Sequence, residues 1–293
     1  MLVPHEPLPG QVALRWLGQG GFAFRSPGGL VWCVDPYLSS YSGRADFQRL
    51  APTPVAADSL ITDAVLCSHA HSVHTDPVSL PMIAAVSPQA RFYAAAEGAQ
   101  KMSDLGIPSG RIETVQAGDR AVPLRGTARS GVEGSAGRAA PPDVLADVVF
   151  ASHSGDAVGF VFHVGVTPPT PAIDSPSAAV PPADFGSAAA PAVRPFRIYV
   201  TGDTLYDPQL LSQTTRGVDL LCVCINGRGG NMTHEEAARL AGELGATTVI
   251  PMHFGVMPHN TLDPQLFLDA LAAQGVQSTP RVLGIGETLV LGT

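Results

Sequence analysis

The chain has 293 residues, enough for one large domain or two ordinary ones. Hydrophobic residues make up 45% and charged residues 14%, so material for a core is ample and wholesale disorder is excluded. A formal charge of -8 argues against a nucleic-acid-binding surface. No apolar run approaches the roughly 20 residues that span a bilayer, and no basic-then-apolar segment follows Met1. The expectation is therefore a soluble, cytoplasmic protein with neither nucleic-acid nor membrane partners. Cys33, Cys67, Cys222 and Cys224 lie in apolar runs without structural-zinc spacing and read as small buried hydrophobes.

In chain order, Val12–Trp16, Gly21–Arg25 and Leu30–Val34 are short β-type runs split by glycine turns, predicting an antiparallel meander. Ala64–Ser68 is a continuous apolar run that suits a strand buried on both faces. A helix is predicted over Pro77–Val86, with Asp76 as its N-cap and Pro77 in its first turn. Arg91–Ala95 reads as a strand and Ala96–Leu105 as a helix stopped by Gly106. Asp147–His153, Gly159–Val164 and Phe196–Thr201 resume the strand pattern, the last two as hairpin partners. Asp219–Ile225, a helix opened by the Thr233/Glu236 capping box and stopped by Gly245, Thr247–Met252 and the helix Pro264–Ala273 complete the set. Strand runs followed by β-loop-α units predict two sheets with helices outside.

Two stretches break this pattern. Arg125–Ala146 is rich in Gly, Ala and Ser. Thr167–Pro195 holds eight prolines and eight alanines, too few large apolar groups to offset its ordering entropy. Both read as flexible insertions in one domain covering 1–293.

Chemistry concentrates in Ser68-His69-Ala70-His71-Ser72-Val73-His74. His69 and His71 leave a strand end two residues apart, so both side chains can point the same way, and His74 follows after a turn. Imidazoles so spaced suit a transition-metal site. Distal ligands are then required at other strand ends. His153, Asp203 (in Thr201-Gly202-Asp203-Thr204) and His253 each stand just past an apolar run. Singly, Asp203 suits a turn beside Gly202 and the two histidines suit capping; jointly, those readings need three coincidences.

These segments resemble the metallo-β-lactamase superfamily. More narrowly, Trp16-Leu-Gly-Gln-Gly-Gly-Phe22, Val34-Asp35-Pro36-Tyr37, Ala157-Val-Gly-Phe160 and Asn226-Gly-Arg-Gly-Gly-Asn-Met232 resemble its L-ascorbate-6-phosphate lactonase (UlaG-like) branch. The resemblance implies an αββα sandwich of two mixed β-sheets flanked by helices, with a metal site at one edge. It implies that His69, His71 and His153 hold one divalent ion, zinc or manganese, that His74 and His253 hold a second, and that Asp203 bridges. The family has Asp immediately before its third motif histidine, where this chain has Val73. One firmly held ion is therefore expected, with a second that is weak, water-completed or absent. Asp76 could substitute for the lost carboxylate, though the N-cap role suits it better.

The implied reaction is hydrolysis of a lactone or carboxylic ester on a small, phosphorylated, sugar-like compound, with Asp203 as the catalytic proton carrier. The loop Asn226–Asn231 precedes a helix N-terminus, so Asn226, Arg228 and Asn231 are candidate substrate contacts, Arg228 as a phosphate clamp. The bland alternative is a glycine turn bearing a solvated arginine. His234 and His259 read as surface histidines. Phosphodiester hydrolysis on the same fold, or a non-catalytic binding or regulatory role, are the competing functions. A scaffold role leaves the histidines unexplained, and a homo-oligomer is left open.

Overall fold

Side chains alternate along the first strand, β1 (Gln11–Gly18): Val12, Leu14 and Trp16 face one apolar layer, Ala13 and Leu17 another. A strand buried on both faces has to lie inside a layered fold. The structure, a computed structural model, describes residues 3–41, 48–124, 143–165 and 194–292. β2 (Gly21–Arg25), β3 (Val31–Val34), β4 (Ala64–Cys67), β5 (Arg91–Ala94) and β6 (Ile112–Thr114) follow in the same sheet. Its order is β14-β1-β2-β3-β4-β5-β6, where β14 is Thr288–Gly292. Pairing is antiparallel from β14 to β3 and parallel from β3 to β6.

The second sheet holds β7 (Val122–Pro123), β8 (Val144–Phe150), β9 (Val158–Val164), β10 (Phe196–Val200), β11 (Leu220–Cys224), β12 (Thr248–Met252) and β13 (Thr279–Pro280), side by side in that order. It is antiparallel from β7 to β10 and parallel from β10 to β13. Both sheets thus switch from antiparallel to parallel pairing midway. Between them lies the main core, where Trp32 stacks on Phe24 at 5.1 Å and meets Phe162 at 5.5 Å.

Helices α1 (Ser79–Val86) and α2 (Ala96–Asp104) pack on the outer face of the first sheet through Leu80, Ile83 and Met102. α3 (His234–Leu244) and α4 (Pro264–Ala273) cover the second through Leu240, Phe267 and Leu271. This is the αββα sandwich of two mixed sheets. In α3 the Thr233 hydroxyl accepts from the Glu236 N–H at 3.2 Å, and the Glu236 carboxylate accepts from the Thr233 N–H at 2.9 Å. Gly245 closes the helix in a left-handed conformation (φ 64°).

The predicted meander and the β9/β10 hairpin pairing are present, and all four cysteines are buried and free. Three details differ from the sequence expectation. β8 begins at Val144, inside the stretch read as a flexible insertion, because Val144 and Ala146 face the inter-sheet core. Most of both insertions, 125–142 and 166–193, lies outside the described residues. α1 begins at Ser79, two residues late. Its formal N-cap is Val78, and Asp76 instead accepts from the Val78 N–H and from the hydroxyls of Ser39 and Ser79. With those donors filling its carboxylate, Asp76 is committed to the turn before α1 and does not substitute for Val73. Val73 packs beside the buried cluster of Tyr37, Val256 and Met257. Among the described residues, no helix is long and apolar enough to cross a membrane.

Candidate metal centre

Each residue singled out for metal binding stands just beyond a strand. His69, His71 and His74 follow β4, His153 follows β8, Asp203 follows β10 and His253 follows β12. Carboxyl ends of parallel strands bring loops from distant parts of a chain to one rim. Here they bring all six side chains together. His69 Nε2 lies 2.9 Å from His71 Nδ1, which lies 3.4 Å from His153 Nε2. Asp203 then reaches both sides of the cluster. Its Oδ2 is 4.0 Å from His153 Nε2 and 3.4 Å from His74 Nε2, and its Oδ1 is 2.9 Å from His253 Nε2.

The outer nitrogens of the rings explain this orientation. Ser68 Oγ donates to Asp35 at 2.7 Å and so accepts from His69 Nδ1 at 3.0 Å. Ser154 Oγ stands 3.3 Å from His71 Nε2, and the Gly230 carbonyl accepts from His153 Nδ1 at 3.0 Å. His74 Nδ1 donates to Asp35 Oδ2 at 2.7 Å. With the outer nitrogen of each of these four rings occupied, the inner one is left to face its neighbours, the arrangement that second-layer hydrogen bonds impose on metal-binding histidines. His69 with His71 and His153 forms one group of ligand atoms within 4.8 Å of one another, and His69 with His74 and Asp203 forms another.

Electrostatics divide the cluster. His69 is driven far below the ordinary imidazole range by burial and then by His74, and His71 is lowered by burial and by His153. Both are therefore neutral, the form that binds a cation. His74 is the opposite case. Burial opposes its charge, but Asp203 and Asp35 outweigh that and push it up to about 10. Burial likewise opposes ionisation of Asp203, and His253 and His74 beside it hold it well below the carboxylate range.

Several participants were not singled out from the sequence. Asp35 is fully buried, accepts from the Ser68 N–H at 2.7 Å as well as from Ser68 Oγ and His74, and adopts a positive φ of 45°. Gln19 (φ 53°) and His253 (φ 72°) share that left-handed conformation. Each costs on the order of 1 kcal/mol for a residue with a Cβ, and such strain clusters where function requires the side chain. Lys101 donates to the Ala70 carbonyl at 2.6 Å, anchoring the His69–His71 turn to α2. Asp156 caps α2, which lacks a side-chain cap of its own, by accepting from the Glu97 N–H at 3.0 Å. Asp35 and Gln19 stand in the Val34–Tyr37 and Trp16–Phe22 segments that carry the family resemblance, but their roles, like those of Lys101 and Asp156, depend on backbone angles and long-range contacts.

The loop after β11 is folded on itself. Asn231 donates to Asn226 at 2.9 Å, and Asn226 donates to Asn260 at 2.5 Å and to the Arg228 carbonyl at 3.1 Å. Both asparagines are buried, whereas Arg228 is exposed, with one N–H 3.3 Å from the His259 carbonyl. Glu235 and Glu236 occupy the first turn of α3, so that terminus already has its negative charge. A cleft of about 540 Å³ is lined by Thr114, Gln116, Asp119 and, just after Ser154 in the chain, Gly155 and Asp156, among others.

Comparison with known proteins identifies the family and the fold. The family model described as Beta-lactamase superfamily domain covers residues 33–254. A UPF0173 metal-dependent hydrolase of Anaeromyxobacter sp. (strain K) is 29% identical over 262 residues, spanning 85% of this chain and 77% of that protein. One from Thermodesulfovibrio yellowstonii is 24% identical over 289 residues, spanning 96% and 92%. Among solved structures, the metallo hydrolase Igni18 from Ignicoccus hospitalis superposes with a TM-score of 0.66 at 17% identity, covering 97% of this chain and 99% of that one. An isothiocyanate hydrolase from Delia radicum gut bacteria gives 0.65 at 16% identity, covering 96% and 99%. The chain belongs to the β-lactamase superfamily and has the metallo-β-lactamase fold that it shares with these metallo-hydrolases.

Proposed function

We propose that the chain is a metal-dependent hydrolase that opens a lactone or related carboxylic ester in a small, phosphorylated, sugar-like compound. The observation that carries this reading is the inward-facing set of ring nitrogens, His69 Nε2, His71 Nδ1 and His153 Nε2, whose outer nitrogens are already bonded. The residues fit a cation on a second count. His74 Nε2 and Asp203 Oδ1 are buried without a well-formed hydrogen bond among the described residues, a costly state that a bound ion relieves.

His69, His71 and His153 would hold one zinc or manganese ion, and His74, His253 and Asp203 would offer a second, weaker position. When bound, the ion supplies Lewis acidity for a carbonyl and lowers the pKa of water to about 7. Asp203 is the catalytic group: its carboxylate takes the proton of the attacking water and passes it to the leaving alkoxide. Arg228 is the exposed cation available to a substrate phosphate, with Asn226 and Asn231 shaping the loop that carries it. Carboxylates of Asp119 and Asp156 in the adjacent cleft suit sugar hydroxyls, which donate to them, and the cleft's volume suits a small molecule. The lactone preference draws on the UlaG-like segments, and the whole of 1–293 is read as one domain of a cytoplasmic protein.

Purified protein loaded with zinc or manganese should hydrolyse phosphorylated sugar lactones, lose that activity on chelation, and lose at least about 100-fold in kcat/KM on Asp203→Asn. Turnover of bis-p-nitrophenyl phosphate with lactones untouched would replace the lactonase reading by a phosphodiesterase. Ligand-dependent stabilisation with no turnover under either metal would make the chain a binding protein.

A further inference from the structure

The first cation position draws its rings from two segments on different sheets, the turn His69–His71 after β4 and the loop after β8. At their base the sheets join them, because the Val158 N–H donates to the Ser68 carbonyl at 2.9 Å. Beyond that point both segments run out to α2. Lys101 Nζ donates to the carbonyl of Ala70, which stands between the two histidines, at 2.6 Å, and to Ser72 Oγ at 3.3 Å. Asp156 Oδ2, three residues after His153, accepts from the Glu97 N–H at 3.0 Å. Glu97 and Lys101 are four residues apart, so about one turn of a single helix carries both contacts.

The loop after β8 is shaped for this seat. The Ala157 N–H closes a turn on the Ser154 carbonyl at 3.2 Å. Within it, Gly155 takes a left-handed φ of 58°, and a Cβ there would stand 2.6 Å from Glu97 Oε2. A glycine therefore lets Asp156 come down on the helix end. The helix has a use for it: the N-cap of α2 is Ala95, which offers no side-chain acceptor, and Asp156 supplies one from the other sheet.

We propose that Asp156 and Lys101 are positioning residues of the His69, His71 and His153 cation position, with α2 as the brace that sets the spacing of its rings. His71 Nδ1 and His153 Nε2 are 3.4 Å apart, and Ser154 Oγ stands 3.3 Å from His71 Nε2. Both contacts cross between the two segments, so either segment swinging on its own breaks them. An ion binds rings already gathered more tightly than rings it has to gather, because less ordering accompanies binding. Ala95, Ala96, Gly155 and Asp156 also line the cleft, so the joint between loop and helix forms part of its wall and a ligand there lies against the brace.

The inference rests on the metal-dependent reading of the same site, and zinc affinity separates the two failures. Calorimetric titration of the unmodified protein should give a tight step and a weaker one. Asp156→Ala should weaken the tight step at least about tenfold, the lower end of the scale for a lost second-layer partner. Lys101→Met should do the same, and it serves if the alanine variant does not fold. The double variant should lose little more than either single one, since one released segment already undoes the spacing. Asp156→Asn keeps an acceptor oxygen and should recover most of the affinity. Gln100→Gly weakens the same helix at a side chain that bonds Asp104 at 2.8 Å; it should lower the melting temperature of metal-free protein and leave the tight step in place. A tight step unmoved by Asp156→Ala and Lys101→Met, losses that simply add, no recovery with asparagine, or an equal loss in Gln100→Gly overturns the brace. Absence of the tight step from the unmodified protein overturns the metal-dependent reading itself.

Discussion

Asp35 holds together what the histidines need. Its carboxylate accepts from the Ser68 N–H, Ser68 Oγ and His74 Nδ1, each at 2.7 Å, in a position with no solvent access. Replacing it by alanine strands all three donors, and breaking a buried charged pair costs about 3–5 kcal/mol. Asp35→Ala should therefore lower the denaturation midpoint of the metal-free protein markedly; a loss below about 1 kcal/mol in urea unfolding would show that the network is not what fixes His74. Val73→Asp tests the opposite change. The valine side chain borders Tyr37, Val256 and Met257, so aspartate gives up packing there while adding a carboxylate next to His74. Metal analysis at fixed free zinc should give more ion per chain for the variant, and unchanged stoichiometry would refute the assignment of that position. At this scale the metal-type residues were legible because rings and carboxylates stand out in sequence. Asp35 was legible only as part of a family segment, because what commits it to His74 is a positive φ and a partner tens of residues away.

At the scale of elements, strand ends do the placing. β4, β8, β10 and β12 deliver their ligands within a few residues of their last paired position, and their apolar runs announced them. What patterning could not give was the start of β8 within a small-residue stretch, or β6, β7, β13 and β14, which are short or lie at sheet edges where burial imposes little alternation. The loop after β11 was legible as a glycine turn, yet its contact with the centre was hidden. A Cβ on Gly230 would stand 2.7 Å from His153 Nδ1, and its φ is +87°. Gly230→Ala should displace that ring and weaken the tight zinc step by about 10–100-fold in calorimetric titration. An unchanged affinity would mean that His153 is positioned by something other than this loop.

Across the whole molecule, two sheets of like design, each passing from antiparallel to parallel pairing, bring their carboxyl-terminal rims to one edge. That architecture gathers neutral and charged histidines in one buried place, and stability without metal should record both. His69, whose folded pKa lies below its unfolded 6.5, contributes stability that is complete above 6.5 and lost as pH falls. His74, raised to about 10, contributes stability that is complete below 6.5 and lost as pH rises towards 10. The melting temperature of metal-free protein should accordingly peak near pH 6.5 and fall on both sides, and added zinc should lift the alkaline side most, where His74 is neutral. A profile rising steadily to pH 9 would mean that the Asp35–His74–Asp203 chain is not formed. The two-sheet plan was readable from strand and helix order. The meeting of the two rims was readable only through the ligands that line it, since no local pattern encodes which edges of two sheets adjoin.

The central claim, that imidazoles separated by 82 positions share one cation, is tested most directly by anomalous diffraction at the zinc edge from crystals grown with the metal. The account predicts a peak about 2.1 Å from His69 Nε2, His71 Nδ1 and His153 Nε2 together. A map with no peak there, with the three rings turned apart, would contradict it.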